Sequence, residues 1–216
     1  MGATDPATVE PQPGPANEVF QLLDWKRRVF ELYAEVRATT DPALAWERWR
    51  STRDELFRRH PQSPLPEPAR AAFERLNYFP YDAALRVTAE IAAVQAKAVA
   101  IGSSGEEPIT FSRFAEAHFS AGGSDCALEL YWLEAYGGGL FLPFSDATTG
   151  IESYGGGRYL LDTVKGADLG LSGDRLVLDF NFAYNPSCSY DPGWVCPLSP
   201  AANRLPIAVR AGECAP

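Results

Sequence analysis

The feature that most constrains this chain is a change of hydrophobic period at Asp82. Upstream, apolar residues recur at helical spacing: Phe20, Leu23, Val29, Leu32, Tyr33 and Val36 in one run, then Leu44, Trp49, Leu56 and Phe57 in a second. That spacing puts one apolar stripe on each of two helices. Downstream the period becomes two. Leu85, Val87, Ala89, Ile91 and Ala93 alternate with Arg86, Thr88 and Glu90, as in a half-buried strand. The segment is alanine-rich and also suits a helix. The strict alternation, shared by the segments that follow, favours a strand.

Further strands are expected at 97–101, 109–119, 126–134, 140–144, 157–164, 175–184 and 205–211, separated by Gly, Asp, Ser and Pro clusters. In 126–134, Cys126, Leu128, Leu130 and Trp132 share one face. The fold class is α+β, mainly β: an antiparallel barrel or sandwich of about eight strands with an N-terminal helical hairpin. No long helical pattern lies between the strands, which disfavours a parallel β/α fold.

Four segments follow. A disordered tail covers 1–16, with four prolines and two glycines. A helical hairpin covers 17–60, with Asn17 as the first cap, Thr40 or Asp41 as the second, and Pro42 in the second helix's first turn. An extended connector with a short helix covers 61–82. The β body covers 83–216. Trp25, Trp46 and Trp49 in the hairpin either clamp the helices onto the body or dock a partner.

Charge narrows the function. Residues 1–80 carry 11 basic and 12 acidic side chains, and residues 81–216 carry 8 and 16, so the β body alone holds −8 of the net −9. Such a surface repels phosphate backbones, so no nucleic-acid partner is expected. No run approaches the ~18 apolar residues of a membrane span, and the first 15 residues lack a leader's charge and apolar core. The chain reads as cytoplasmic, with no membrane partner. Its four cysteines are too few for a disulfide scaffold.

Candidate site residues fall in four groups. Tyr154-Gly155-Gly156-Gly157-Arg158-Tyr159 is a glycine-rich loop. There Gly156 lets backbone N–H groups approach a ligand and Arg158 grips an anion. The bland alternative is a tight turn with Arg158 paired to Asp146 or Asp179. Asn181, Tyr184 and Asn185 are polar positions on a strand that otherwise reads as core, facing either a ligand or the following loop. Cys188 and Cys196 lack the cations that activate a thiol and the spacing of a metal site, so packed thiols or a loop-closing disulfide are expected, and no metal. Glu116 and His118 share a strand face, where they either line solvent or act as an acid–base pair. No catalytic triad order, nucleophile elbow or zinc helix motif is present.

Several of these residues sit in linked motifs. Asp146-Ala147-Thr148-Thr149-Gly150 is followed by Tyr154 to Leu160, then Asp179-Phe180-Asn181-Phe182-Ala183-Tyr184-Asn185-Pro186, Cys188, Cys196-Pro197-Leu198, Asn203, Leu205-Pro206 and Ala211-Gly212-Glu213. With Arg53 to Phe57, Ser63-Pro64-Leu65 and Tyr78 to Asp82 upstream, this series resembles a microbial domain-of-unknown-function family over roughly residues 45–213. The resemblance implies a β-rich body behind a helical lead-in, and no assigned reaction, cofactor or catalytic residue.

The functional expectation is a small-molecule binding protein with a pocket in the β body. Its site would comprise Asp146, Tyr154, Gly156, Arg158, Asn181, Tyr184 and Asn185, and it would favour an anionic ligand. An enzyme using Glu116, His118 and Cys188 in the same cavity, and an interaction module built on the Trp-rich hairpin, are the alternatives. The sequence points to no particular cofactor.

Overall fold

The computed structural model of the chain describes residues 15–134 and 136–216. Most of the expected tail lies outside these residues. Its last two positions are already helical, because α1 runs Pro15–Ala38. Proline suits a first turn, where its missing N–H has no intrahelical role. Asn17 is therefore inside α1 rather than its cap. After a three-residue link, α2 runs Pro42–Arg59. Asp41 caps it by accepting from the Ala43 and Leu44 N–H groups at 3.0 and 3.3 Å. The connector holds the expected short helix, α3 at Glu67–Ala71, with none of its residues buried.

Among the described residues seven strands follow: β1 Arg86–Ile101, β2 Ile109–Ala121, β3 Ser124–Leu133, β4 Leu140–Phe144, β5 Arg158–Asp162, β6 Leu171–Ser172 and β7 Arg175–Asp179. They form one antiparallel sheet in the order β5-β4-β3-β2-β1-β7-β6. The sheet stays open, with β5 and β6 on its edges, so the barrel closure and the count of eight are corrected. The two expected segments at the start of the body are one strand, β1, interrupted by a bulge between Ala93 and Lys97. The expected strand at 175–184 stops at Asp179, where a 3-10 turn over Phe180–Phe182 leads the chain away. Residues 205–211 form no ladder strand.

β7 pairs with β1 only over Arg86–Ala89, whereas β2 follows β1 to Ile101. The free side of β1 carries the bulge and Lys97, two features that discourage another chain from pairing there.

A second bulge decides which side chains are buried. Arg113 pairs with Tyr131 and Ala115 with Leu130, leaving Phe114 as an extra residue in β2. One inserted residue inverts the alternation. Ala115, Ala117 and Phe119 consequently join Leu128 and Leu130 in the main core. Phe111 and Tyr131 instead pack with Ile101, Phe141 and Tyr159 in a second cluster. Trp132, expected to share the face of Leu128 and Leu130, pairs with Leu140 at the core's margin and is 41% exposed.

The hairpin covers the main core. Trp49 is fully buried, with its ring 5.3 Å from Phe182 and 5.6 Å from Tyr78. Trp46 packs against Tyr78 and Tyr81. Trp25 packs on Phe57 and His60. Two of the three tryptophans are thus spent on the chain's own body. Among the described residues no helix is long and apolar enough to cross a membrane.

Candidate functional site

Arg158 opens β5 and is 1% exposed. Its Nη2 donates to Asp146 Oδ2 at 2.9 Å and to the Val209 carbonyl at 2.8 Å, and its Nη1 to the carbonyls of Ala211 and Glu213. Phe144 and Phe79 lie over its guanidinium. Burial pulls its pKa down, and Asp146 opposes that pull; a guanidinium remains charged under such conditions. Asp146 is equally committed, since its Oδ1 accepts from the Thr148 and Val209 N–H groups. This socket ties the last turns of the chain to β5 and leaves both terminal nitrogens occupied.

The glycines of the neighbouring loop make room for protein. Gly157 has φ 83°, and a Cβ there would overlap Ser199 and come within 2.7 Å of the Phe144 carbonyl. A Cβ on Gly156 would fall 2.5 Å from the Tyr154 ring and 2.9 Å from Leu198. Asn181 is also fully used. Its side-chain amide donates to the Asp82 carbonyl and Asp179 Oδ1 and accepts from the Asp82 N–H.

Tyr184 and Asn185 lie elsewhere, at the seam between the hairpin and the body. Here a cavity of about 70 Å³ is bounded by Trp25, Val29 and Tyr33 of α1, Arg53 and Phe57 of α2, Tyr159 of β5, Lys165, and the run Tyr184–Ser187. Arg53 forms an ion pair with Glu213, and the rings of Trp49, Phe57 and Tyr184 surround its guanidinium at 4.9–5.3 Å. Glu213 Oε2 accepts from the Asn185 N–H at 2.7 Å and the Tyr190 hydroxyl at 2.8 Å. Burial alone would lower Arg53, but Glu213 and the adjacent phenols outweigh it and the pKa is raised. Burial raises Tyr33, Tyr184 and Tyr190, so all three phenols are protonated donors at neutral pH. At the rim, Lys165 lies 3.6 Å from Asp162, whose pKa burial raises against that lysine.

Three polar atoms of the lining residues are buried without a hydrogen-bond partner: Tyr33 Oη, Arg53 Nε and Asn185 Oδ1. Buried polar atoms are normally satisfied, and of the eleven unpartnered ones among the described residues these three belong to residues that line the cavity. Sequence reasoning named Tyr184 and Asn185, which line this cavity, and did not name Tyr33 and Arg53. One signal existed. Arg53 falls in register with Trp46, Trp49 and Phe57, which puts a cation on the buried stripe of α2.

The other expected residues do not reach this cavity. Glu116 and His118 sit 3.3 Å apart on β2, with His118 about half exposed and Glu116 also 3.7 Å from Arg113. Cys188 lies against Tyr154, with Sγ 3.8 Å from the hydroxyl, and burial followed by this thiol pushes Tyr154 up to about 12. Tyr154, Gly156, Arg158 and Asp146 belong to the socket and its loop. Among the described residues no group of three or more potential metal ligands is assembled.

The fold has a solved counterpart. The solution NMR structure of an uncharacterized protein from gene locus rrnAC0354 of Haloarcula marismortui is 35% identical to this chain, with a TM-score of 0.56. The match covers 76% of this chain and 89% of that one. Among curated proteins none matches. The profile of DUF1684, described as a protein of unknown function, matches residues 71–214. That span takes in the socket, the glycine-rich loop and the Tyr184–Ser187 wall of the cavity, and the chain belongs to the DUF1684 family.

Proposed function

We propose that this protein binds a small polar molecule, or the polar head of a larger one, at the seam between hairpin and body. The observation that carries the reading is the set of unpartnered groups there. Tyr33 is 2% exposed and Asn185 3%, yet Tyr33 Oη and Asn185 Oδ1 have no partner. Leaving such groups unsatisfied costs roughly 1–3 kcal/mol each, and a ligand offering both an acceptor and a donor would recover that cost. The aromatic walls suit a flat or apolar neighbour to that head.

The sequence-based preference for an anion rested on Arg158, whose terminal nitrogens are occupied. In the seam, Arg53 is neutralised by Glu213 and Lys165 by Asp162. A balanced site favours a neutral head such as an amide or a polyol. The volume of about 70 Å³ admits only a few heavy atoms, well below the roughly 300–1,000 Å³ of a drug-sized pocket.

Mass spectrometry of the purified protein under native and then denaturing conditions tests this. A retained ligand gives a mass difference between the two, and Tyr33→Phe reduces the retained fraction while keeping the fold. Identical masses, together with no thermal shift from short amides or polyols at millimolar concentration, would overturn the proposal.

A further inference from the structure

We propose that a second cavity, between the link joining the two hairpin helices and the β6–β7 edge, binds a free α-amino acid with an apolar side chain, its ammonium on Asp179 and its carboxylate on Arg86. The cavity holds about 270 Å³, close to the lower end of small-molecule sites at roughly 300 Å³. Arg86 opens β1 and Asp179 closes β7, and the two are direct register partners. Antiparallel pairing therefore brings one cation and one anion to the same lip of the sheet. Val36, Ala45, Leu169, Val177 and Phe182 supply the apolar walls.

Asp179 is 1% exposed, and only half of its carboxylate is used. Oδ1 accepts from the Asn181 backbone N–H at 3.1 Å and from its side-chain amide at 2.8 Å. Oδ2 accepts no hydrogen bond, although Arg86 Nε lies 3.3 Å from it. A buried carboxylate oxygen without a donor is costly, and an ammonium would supply one. The Arg86 side chain is 40% exposed, so its guanidinium has room to turn from Asp179 to a bound carboxylate, which it grips as a fork. Charge decides between ligand classes. The Asp179–Arg86 pair is neutral as it stands. An amine alone would strand Arg86, and a carboxylate alone would strand Asp179. A zwitterion exchanges one poorly aligned pair for two.

Arg37 does not alter this balance, because it pairs with Asp168 at 3.3 Å. That pair also holds one wall in place. Arg37 Nη1 donates to the Asp168 carbonyl at 2.7 Å, and Asp168 Oδ1 accepts from the Gly170 N–H at 2.8 Å. The Gly170 carbonyl in turn accepts from the Val177 N–H at 3.1 Å. The cavity shares no lining residue with the seam, so it stands apart from the ligand proposed there.

Calorimetric titration of the full chain tests this with L-leucine and its one-headed analogues, isoamylamine and isocaproate. L-leucine is expected to bind, and each analogue to bind about tenfold or more weakly. Arg86→Gln should bring L-leucine down to the level of isoamylamine without lowering the amine's own affinity. Asp179→Asn should bring it down to the level of isocaproate. In amide NMR spectra, L-leucine should shift Gly170, Leu171 and Ser172 and leave Asn185 in place. The proposal is overturned if none of L-leucine, L-valine and L-phenylalanine binds at millimolar concentration, or if a one-headed analogue matches L-leucine. It is equally overturned if the shifts centre on Asn185, or if Arg86→Gln, a change at a half-exposed side chain that decides the matter even where Asp179→Asn does not fold, leaves L-leucine affinity unchanged.

Discussion

Arg53 and Glu213, 160 residues apart in sequence, meet as an ion pair where the helical hairpin joins the body. The pair is closed to solvent on nearly every side, with 12% and 1% of the two side chains exposed. Breaking one half of a buried pair leaves the other half as an uncompensated charge. Arg53→Met should therefore destabilise the fold by about 3–5 kcal/mol in urea unfolding. Adding Glu213→Gln should cost less than the sum of the two single changes, because the stranded charge is gone. Strict additivity would show that the two residues are not coupled.

Arg158→Lys keeps the charge but loses the fork. A lysine cannot reach Asp146 and three carbonyls together, so a loss of about 3 kcal/mol is expected from the unmet bonds. Arg158→Ala should leave little folded protein. A conservative lysine variant as stable as the wild type would argue against the socket.

Asp179 gives a pH signature. Burial pushes it up to about 6 from an ordinary 3.8, against two Asn181 hydrogen bonds and the Arg86 charge. Its folded pKa exceeds its unfolded one, so the folded state binds the extra proton between those values. Stability from this group falls as pH rises from about 4 to 6, by up to about 3 kcal/mol. Asp179→Asn lacks the titrating group, so the difference between wild-type and variant unfolding free energies should carry that slope across the window. A difference that is flat across the window would contradict it.

Gly212 has φ 74°, and a Cβ there would overlap the Ala183 carbonyl and lie 2.9 Å from that of Phe180. Its own carbonyl accepts from the Phe79 N–H at 2.9 Å. Gly212→Ala combines a left-handed backbone penalty with overpacking, and about 2–5 kcal/mol should be lost in thermal or urea unfolding.

The sequence carried the element types further than it carried the site. Asp41-Pro42 marked the second helix correctly because capping is local chemistry. Strict alternation correctly preferred strand over helix in β1 despite its alanines. The same pattern misled at 205–211. Leu205, Val209 and Ala211 are buried in alternation, but the carbonyls of Val209 and Ala211 are taken by Arg158 rather than by a neighbouring strand. Period two reports which side chains are inside; it does not report what the backbone bonds to. Arg158 was legible as a buried cation, with Asp146 named among its alternatives. Its remaining partners, 51–55 residues downstream, were not. Tyr33 read as ordinary stripe, because nothing in helical spacing separates a packed phenol from an unpartnered one.

Both buried guanidiniums draw on the segment 209–213. Val209, Ala211 and Glu213 supply three carbonyls to Arg158, and the Glu213 side chain neutralises Arg53. During synthesis these residues emerge long after the helices and most of the sheet. Before then Arg158 has only Asp146 among its four acceptors and Arg53 lacks its carboxylate, so a chain cut short of residue 213 is expected to leave one guanidinium under-bonded and the other without a counter-charge.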